Sequence, residues 1–153
     1  MEIRQADKND VQAIARLWHS GWHLGHAEVV DAALVRSRVP EEFVARTQTH
    51  LGEAYVGLVG VEIVGFFMIK ENELYQFYLG MAHHGSGLAN LLMFEAEARL
   101  SGPRAWLGCS VGNDRAAAFY VKAGWENMGS EVFEAETSDG ICPVNIWRFE
   151  KDL

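Results

Sequence analysis

The chain predicts an α/β (α+β) fold: a central mixed, mostly antiparallel sheet of six to seven strands with helices on both faces, in the order βααβββαβαββ. Three observations carry this. Three β-type runs, 54–59, 63–70 and 73–79, are separated only by Gly60-Val61-Glu62 and Glu71-Asn72, spacers short enough to force antiparallel hairpins. A helical pattern, a strand and a second helical pattern follow, and each β–α–β step needs a crossover connection. The chain then closes on two β runs joined by Thr137-Ser138-Asp139-Gly140, a hairpin-turn composition.

Taken in order, residues 2–6 alternate as a short strand. Asp10 is placed to cap a helix whose apolar positions Val11, Ile14, Ala15, Leu17 and Trp18 fall on one face. A second helix is expected from Pro40, since proline suits the first helical position and Glu41 and Glu42 suit the positive end of the dipole. After the three strands, residues 83–87 form a glycine-rich loop. A helix follows with Leu88, Leu91, Leu92, Ala96 and Leu100 on its apolar stripe, stopped by Ser101-Gly102-Pro103. Residues 104–111 read as a strand. Asp114 is the expected cap of a helix through Ala116, Phe119, Tyr120 and Ala123, closed by Gly124. Strands over 126–135 and 144–149 complete the set.

At 153 residues, with 49% hydrophobic and 22% charged residues, the composition is that of an ordinary globular chain, expected to form one domain over residues 1–153. A net charge of −8 argues against a nucleic-acid surface, which needs clustered Lys and Arg. Cys109 and Cys142 stand alone, outside any CxxC spacing, so neither a zinc finger nor a disulfide framework is expected. The N-terminus lacks an apolar signal segment. The longest apolar run, 54–69, is broken by Glu62 and glycines, which rules against a membrane span. The expected setting is cytoplasmic.

The loop His83-His84-Gly85-Ser86-Gly87 joins an aromatic strand to a helix. Glycines there let successive N–H groups converge at the positive end of the helix, where an anion such as a phosphate can sit. Two well-known owners of such loops fail. No Gly-Lys-Ser or Gly-Lys-Thr exists for a Walker A loop, and Asn90 stands where a dinucleotide fingerprint needs its third glycine.

The context resembles the GNAT superfamily of acyl-CoA N-acyltransferases over nearly the whole chain. The family loop, Gln/Arg-x-x-Gly-x-Gly/Ala, reads here His84-Gly85-Ser86-Gly87-Leu88-Ala89, with His84 departing at the first position and Met81 replacing a frequent proline. A second block, Leu107 to Val111 followed by Asn113-Asp114-Arg115 and then Phe119-Tyr120-Val-Lys-Ala-Gly124-Trp125, looks like the family's strand, Asn, helix and aromatic-Tyr-x-x-x-Gly-Phe/Trp element.

The resemblance implies an N-acetyltransferase that moves an acetyl group from acetyl-CoA to a primary amine by direct attack in a ternary complex, with no metal. The pyrophosphate would lie on the amides of His84, Gly85, Ser86, Gly87, Leu88 and Ala89. Main-chain groups of Leu79 and Met81 would hold the pantetheine arm and thioester between splayed fourth and fifth strands. Asn113 would reach the pantetheine, and Tyr120 would protonate the departing thiolate; the other reading of Tyr120 is a core aromatic. Glu73 is the carboxylate placed by resemblance as a base, against a plain turn-flanking surface role. His19, His23 and His26 follow helical spacing, which Gly21 and Gly25 are expected to interrupt. By resemblance Trp22, His23 and His26 wall the acceptor pocket. The acceptor would be a small-molecule amine or a peptide N-terminus, and homodimers are common among such proteins. A non-catalytic acyl-CoA-binding or sensor module on the same fold remains the alternative.

Overall fold

The computed structural model describes residues 1–153. Its strands are β1 (Glu2–Gln5), β2 (Ala54–Val59), β3 (Glu62–Lys70), β4 (Glu73–Leu79), β5 (Arg104–Ser110), β6 (Glu126–Thr137) and β7 (Gly140–Asp152); its helices are α1 (Val11–His26), α2 (Ala32–Ser37), α3 (Pro40–Thr49), α4 (Leu88–Glu97) and α5 (Asp114–Lys122). They build one seven-stranded sheet in the order β1-β2-β3-β4-β5-β7-β6. All neighbours are antiparallel except β4 and β5. The mixed, mostly antiparallel sheet expected from the hairpin spacers is therefore present.

Each face of the sheet carries a core, and the alternation of side chains along β3 feeds both. Phe66 joins Ile14, Trp18, Trp22 and Phe43 beneath α1, α2 and α3. Its neighbour Phe67 joins Leu92, Met93, Ala96, Trp125 and Phe149 beneath α4 and α5.

The structure differs from the sequence reading in several places. The short helix α2 is additional. Gly21 and Gly25 do not break α1, which runs unbroken over Val11–His26. Both serve close approaches: a Cβ at Gly21 would lie 2.3 Å from the Tyr78 ring, and one at Gly25 would lie 2.7 Å from Asn113 Nδ2. On α4 the buried residues are Leu92, Met93 and Ala96, whereas Leu91 is exposed. Asn113, not Asp114, caps α5, its side chain accepting from the Ala116 N–H.

The pairing of β4 with β5 is confined to Glu73 opposite Trp106. Beyond that point the strands diverge. A bulge lies on the other edge of β4, where Met68 faces Gln76 but Ile69 faces Leu74, so Tyr75 is the extra residue. Leu74 and Phe77 consequently pack on the α4 face, while Tyr75 and Tyr78 pack on the α1 face.

Candidate active site

Two cavities meet where β4 and β5 part. An open cleft of about 880 Å³ runs along Leu79, Gly80, Met81, His84, Gly85 and Ala89, and is bounded by α1 and α5. A smaller chamber of about 150 Å³ lies toward the joined end of the strands, between α1, α2, α3 and the β6–β7 hairpin. Phe77, Tyr78, Asn113, Ala116 and Tyr120 line both, and so form the neck between them.

The cleft ends in the glycine loop. Met81–His83 make one 3-10 turn, and Gly85 (φ +79°) and Gly87 (φ +85°) then take left-handed conformations that lead into α4. Ser86 Oγ donates to His83 O and accepts from the Leu88 N–H, which fixes the turn. The N–H groups of Gly85, Gly87, Ala89 and Asn90 have no partner within the protein. A Cβ at Gly85 or Gly87 would project into open space rather than into protein. This cradle of main-chain donors at the positive end of α4 fits a pyrophosphate.

His84 acts as a bridge. Arg115 Nη2 donates to its Nδ1 at 2.7 Å, so Nε2 carries the proton and donates to Leu79 O at 3.0 Å. The unusual first residue of the loop thus ties the end of β4 to Arg115 on α5. Gly80 N–H bonds Val64 O on β3 at 2.8 Å. Strand alternation therefore turns the Leu79 N–H the other way, into the gap.

Tyr120 stands at the neck, held by packing and by its own main chain. Its ring lies 5.7 Å from Phe119 and from Phe149. Gly124 (φ +90°) reverses the chain so that Trp125 N–H caps Tyr120 O at 2.9 Å. That bond, with Trp125 buried and donating through Nε1 to Glu97, is the physical basis of the Tyr-x-x-x-Gly-Trp spacing. The Tyr120 hydroxyl makes no hydrogen bond within the protein, and burial pushes its pKa up, as it does for Tyr78. Both phenols therefore keep their protons. Burial also pushes the Cys109 thiol, on the chamber wall, up to about 12. It is no thiolate nucleophile.

The residues expected at the acceptor wall separate. Trp22 and His26 line the chamber. Their rings are stacked 4.8 Å apart, and His26 Nδ1 donates to Trp22 O. His26 is held neutral, its pKa lowered to about 4, chiefly by burial. His23 lines neither cavity: its Nε2 donates to Arg38 O at 2.7 Å, bracing the link between α2 and α3. Glu73 lies at the far end of the chamber, half-buried, with its pKa raised by burial against the opposing charge of Lys70. Six residues of strand separate it from Leu79, roughly 20 Å. Three chamber or cleft residues escaped sequence reasoning: Tyr78, and the arginines Arg38 and Arg46. Only Tyr78 left a signal, as an aromatic one step before Leu79.

Residues 25–142 match the acetyltransferase (GNAT) domain family. An uncharacterized N-acetyltransferase of Mycobacterium bovis is 32% identical over 115 residues, 70% of this chain and 71% of that protein. Among solved structures, a GCN5-related N-acetyltransferase from Rhodopseudomonas palustris superposes with a TM-score of 0.76 at 17% identity, covering 99% of this chain and 95% of that one. The PaiA N-acetyltransferase from Thermoplasma acidophilum, solved in complex with coenzyme A, does so at 0.67 with 20% identity, covering 99% and 98%. No helix here is long and apolar enough to cross a membrane. With the split sheet, the amide cradle and the neck tyrosine in place, the chain belongs to the GNAT family of acetyltransferases.

Proposed function

We propose that the protein transfers the acetyl group of acetyl-CoA to a primary amine by direct attack. The observation that carries this is the neck, where Tyr78, Asn113 and Tyr120 border both the cleft that ends in the amide cradle and the smaller chamber. The PaiA relative in fold was solved with coenzyme A, and the cleft offers the donors such a ligand needs. Of the amides expected from His84 to Ala89, those of His84, Ser86 and Leu88 are engaged within the loop, so the free Gly85, Gly87, Ala89 and Asn90 amides would bind the pyrophosphate, with the Arg115 guanidinium nearby as a countercharge. Bound there, acetyl-CoA supplies the acetyl group as an activated thioester.

The chain's own residues then have separable roles. The Leu79 N–H, turned into the gap, would donate to the developing oxyanion. Leu79 and Met81 main-chain groups and Asn113 would align the pantetheine arm. The amine enters from the chamber side, past Trp22 and His26. Tyr120, protonated throughout the working range, would donate to the leaving sulfur. Glu73, whose burial raises its proton affinity, would take the amine's proton through water, because it stands too far from Leu79 to act by contact. Residues 1–153 act as one unit in this scheme, and the lone cysteines fit a cytoplasmic setting.

The test is an acetyl-transfer screen over amine classes, with products identified by mass, on the native chain and on Tyr120→Phe. Transfer by the native protein is expected, with turnover about 100-fold lower in the variant, the scale of a lost general acid, and acetyl-CoA affinity retained. Equal turnover would remove Tyr120 as the acid. Acetyl-CoA binding without transfer to any amine would establish the sensor alternative.

A further inference from the structure

The chamber holds cationic donors that the reaction just described does not use. Arg38 and Arg46 line it with only 2% and 9% of their surfaces exposed. Arg38 is paired with Glu42, one turn along α3, and Glu42 also accepts from the N–H and Oγ of Ser138 at the hairpin tip. That pair is neutral and its carboxylate is fully engaged. Arg46 has no carboxylate partner; its one hydrogen bond is Nη2 to the Tyr75 hydroxyl at 3.3 Å, with its guanidinium stacked 4.2 Å over the Trp18 ring. Arg46 Nε and Nη1, and Arg38 Nε, are buried donors without an acceptor. The other carboxylates at the chamber are committed elsewhere. Glu136 accepts from His50 and lies near Lys70, and Glu73 sits opposite Lys70 at the far end.

A buried guanidinium without a counter-ion costs several kcal/mol in solvation and is retained where something compensates it. The Arg38 and Arg46 charges also contribute to the lowered pKa of His26, so both are felt at the chamber wall formed by α1. We propose that the Arg46 guanidinium, at the chamber wall, binds a carboxylate on the acetyl acceptor, so that the substrate is an amino acid or a related amine bearing a monoanionic group. Arg46 is a single guanidinium with no ion-pair partner, which suits a monoanion, and a carboxylate oxygen accepts a charge-assisted hydrogen bond from its N–H groups. With the carboxylate held deep in the chamber, the amine of the same molecule is directed back toward the neck. The inference rests on the acceptor entering the chamber, as argued above.

The experiment compares each amino acid with its own carboxamide and with the matching aminoalkylphosphonate, in the native protein and in Arg46→Met and Arg46→Lys. The amino acids should be used about 10- to 100-fold better in kcat/KM than their amides, the range that charge-assisted hydrogen bonds supply. Arg46→Met should collapse that ratio through KM, and Arg46→Lys should restore it in part. Arg46→Met should also leave Tm unchanged or higher, because an unbalanced buried charge has been removed; a lower Tm would mark Arg46 as structural instead. Equal use of acids and amides overturns the proposal, and preference for the phosphonate overturns its monoanion. Should no amine be acetylated, the functional reading fails separately. Calorimetric binding of amino acid against amide to the coenzyme A-loaded protein then still decides the carboxylate site, with equal affinities rejecting it.

Discussion

His26 ties stability to pH through one buried ring. Its folded pKa of about 4 lies below the value near 6.5 of an unhindered imidazole, mainly because burial penalises the cation. A group whose pKa is depressed on folding contributes stability that is complete above the unfolded value and is lost as pH falls. The window here runs from about 6.5 down to about 4, and the loss approaches 3 kcal/mol at 1.36 kcal/mol per unit. Urea midpoints should fall across that window in the native chain, and His26→Leu should flatten the slope there. An unchanged slope would place the acid sensitivity elsewhere. At the same scale, His84 departs from the Gln or Arg usual in the family loop, yet its place in the structure is well defined, because its two nitrogens join Leu79 O to Arg115.

At the scale of elements, α1 is the wall that sets the width of the neck. Ala in place of a mid-helix glycine ordinarily adds about 1 kcal/mol of stability. Gly21→Ala should do the reverse, because the new methyl would overlap the Tyr78 ring, itself stacked 5.6 Å from Phe66. Overpacking of about 1–3 kcal/mol outweighs the helical gain. Tm is expected to drop by a few degrees and turnover with it, while Gly52→Ala, whose methyl meets nothing within 4 Å, serves as the neutral control. Thermal melts of the two variants decide the matter; equal Tm values would reject it. The same helix shows what pattern reading reaches. The apolar positions from Val11 to Trp18 announced α1, but the glycines expected to end it are demanded by Tyr78 and Asn113, partners more than fifty residues away. The strands and the hairpin at Ser138-Asp139 were legible because spacers and alternation are local. The six-residue α2 carries no stripe to read. The Arg38–Glu42 spacing resembles a solvated pair until the hairpin tip covers it.

For the molecule as a whole, the two cavities meet where the sheet splits, and chemistry is expected at their shared neck. The cradle and Tyr120 were legible because main-chain donors and the Gly124 reversal leave sequence signatures. The chamber was not, because α2, α3 and the last hairpin reach it only through tertiary packing. The single rung between β4 and β5, at Glu73 and Trp106, makes the sheet two ladders sharing one pivot. Main-chain groups along both inner edges beyond that rung lack a neighbouring strand, so these edges should open most readily in the free protein. A ligand whose amides lie along β4 would act as a splint across the two ladders. Acetyl-CoA should then slow hydrogen exchange at residues 74–80 and 107–113 more than in the β6–β7 hairpin, and equal protection throughout would contradict this. The rate at which the protein breathes would then be set by its own substrate.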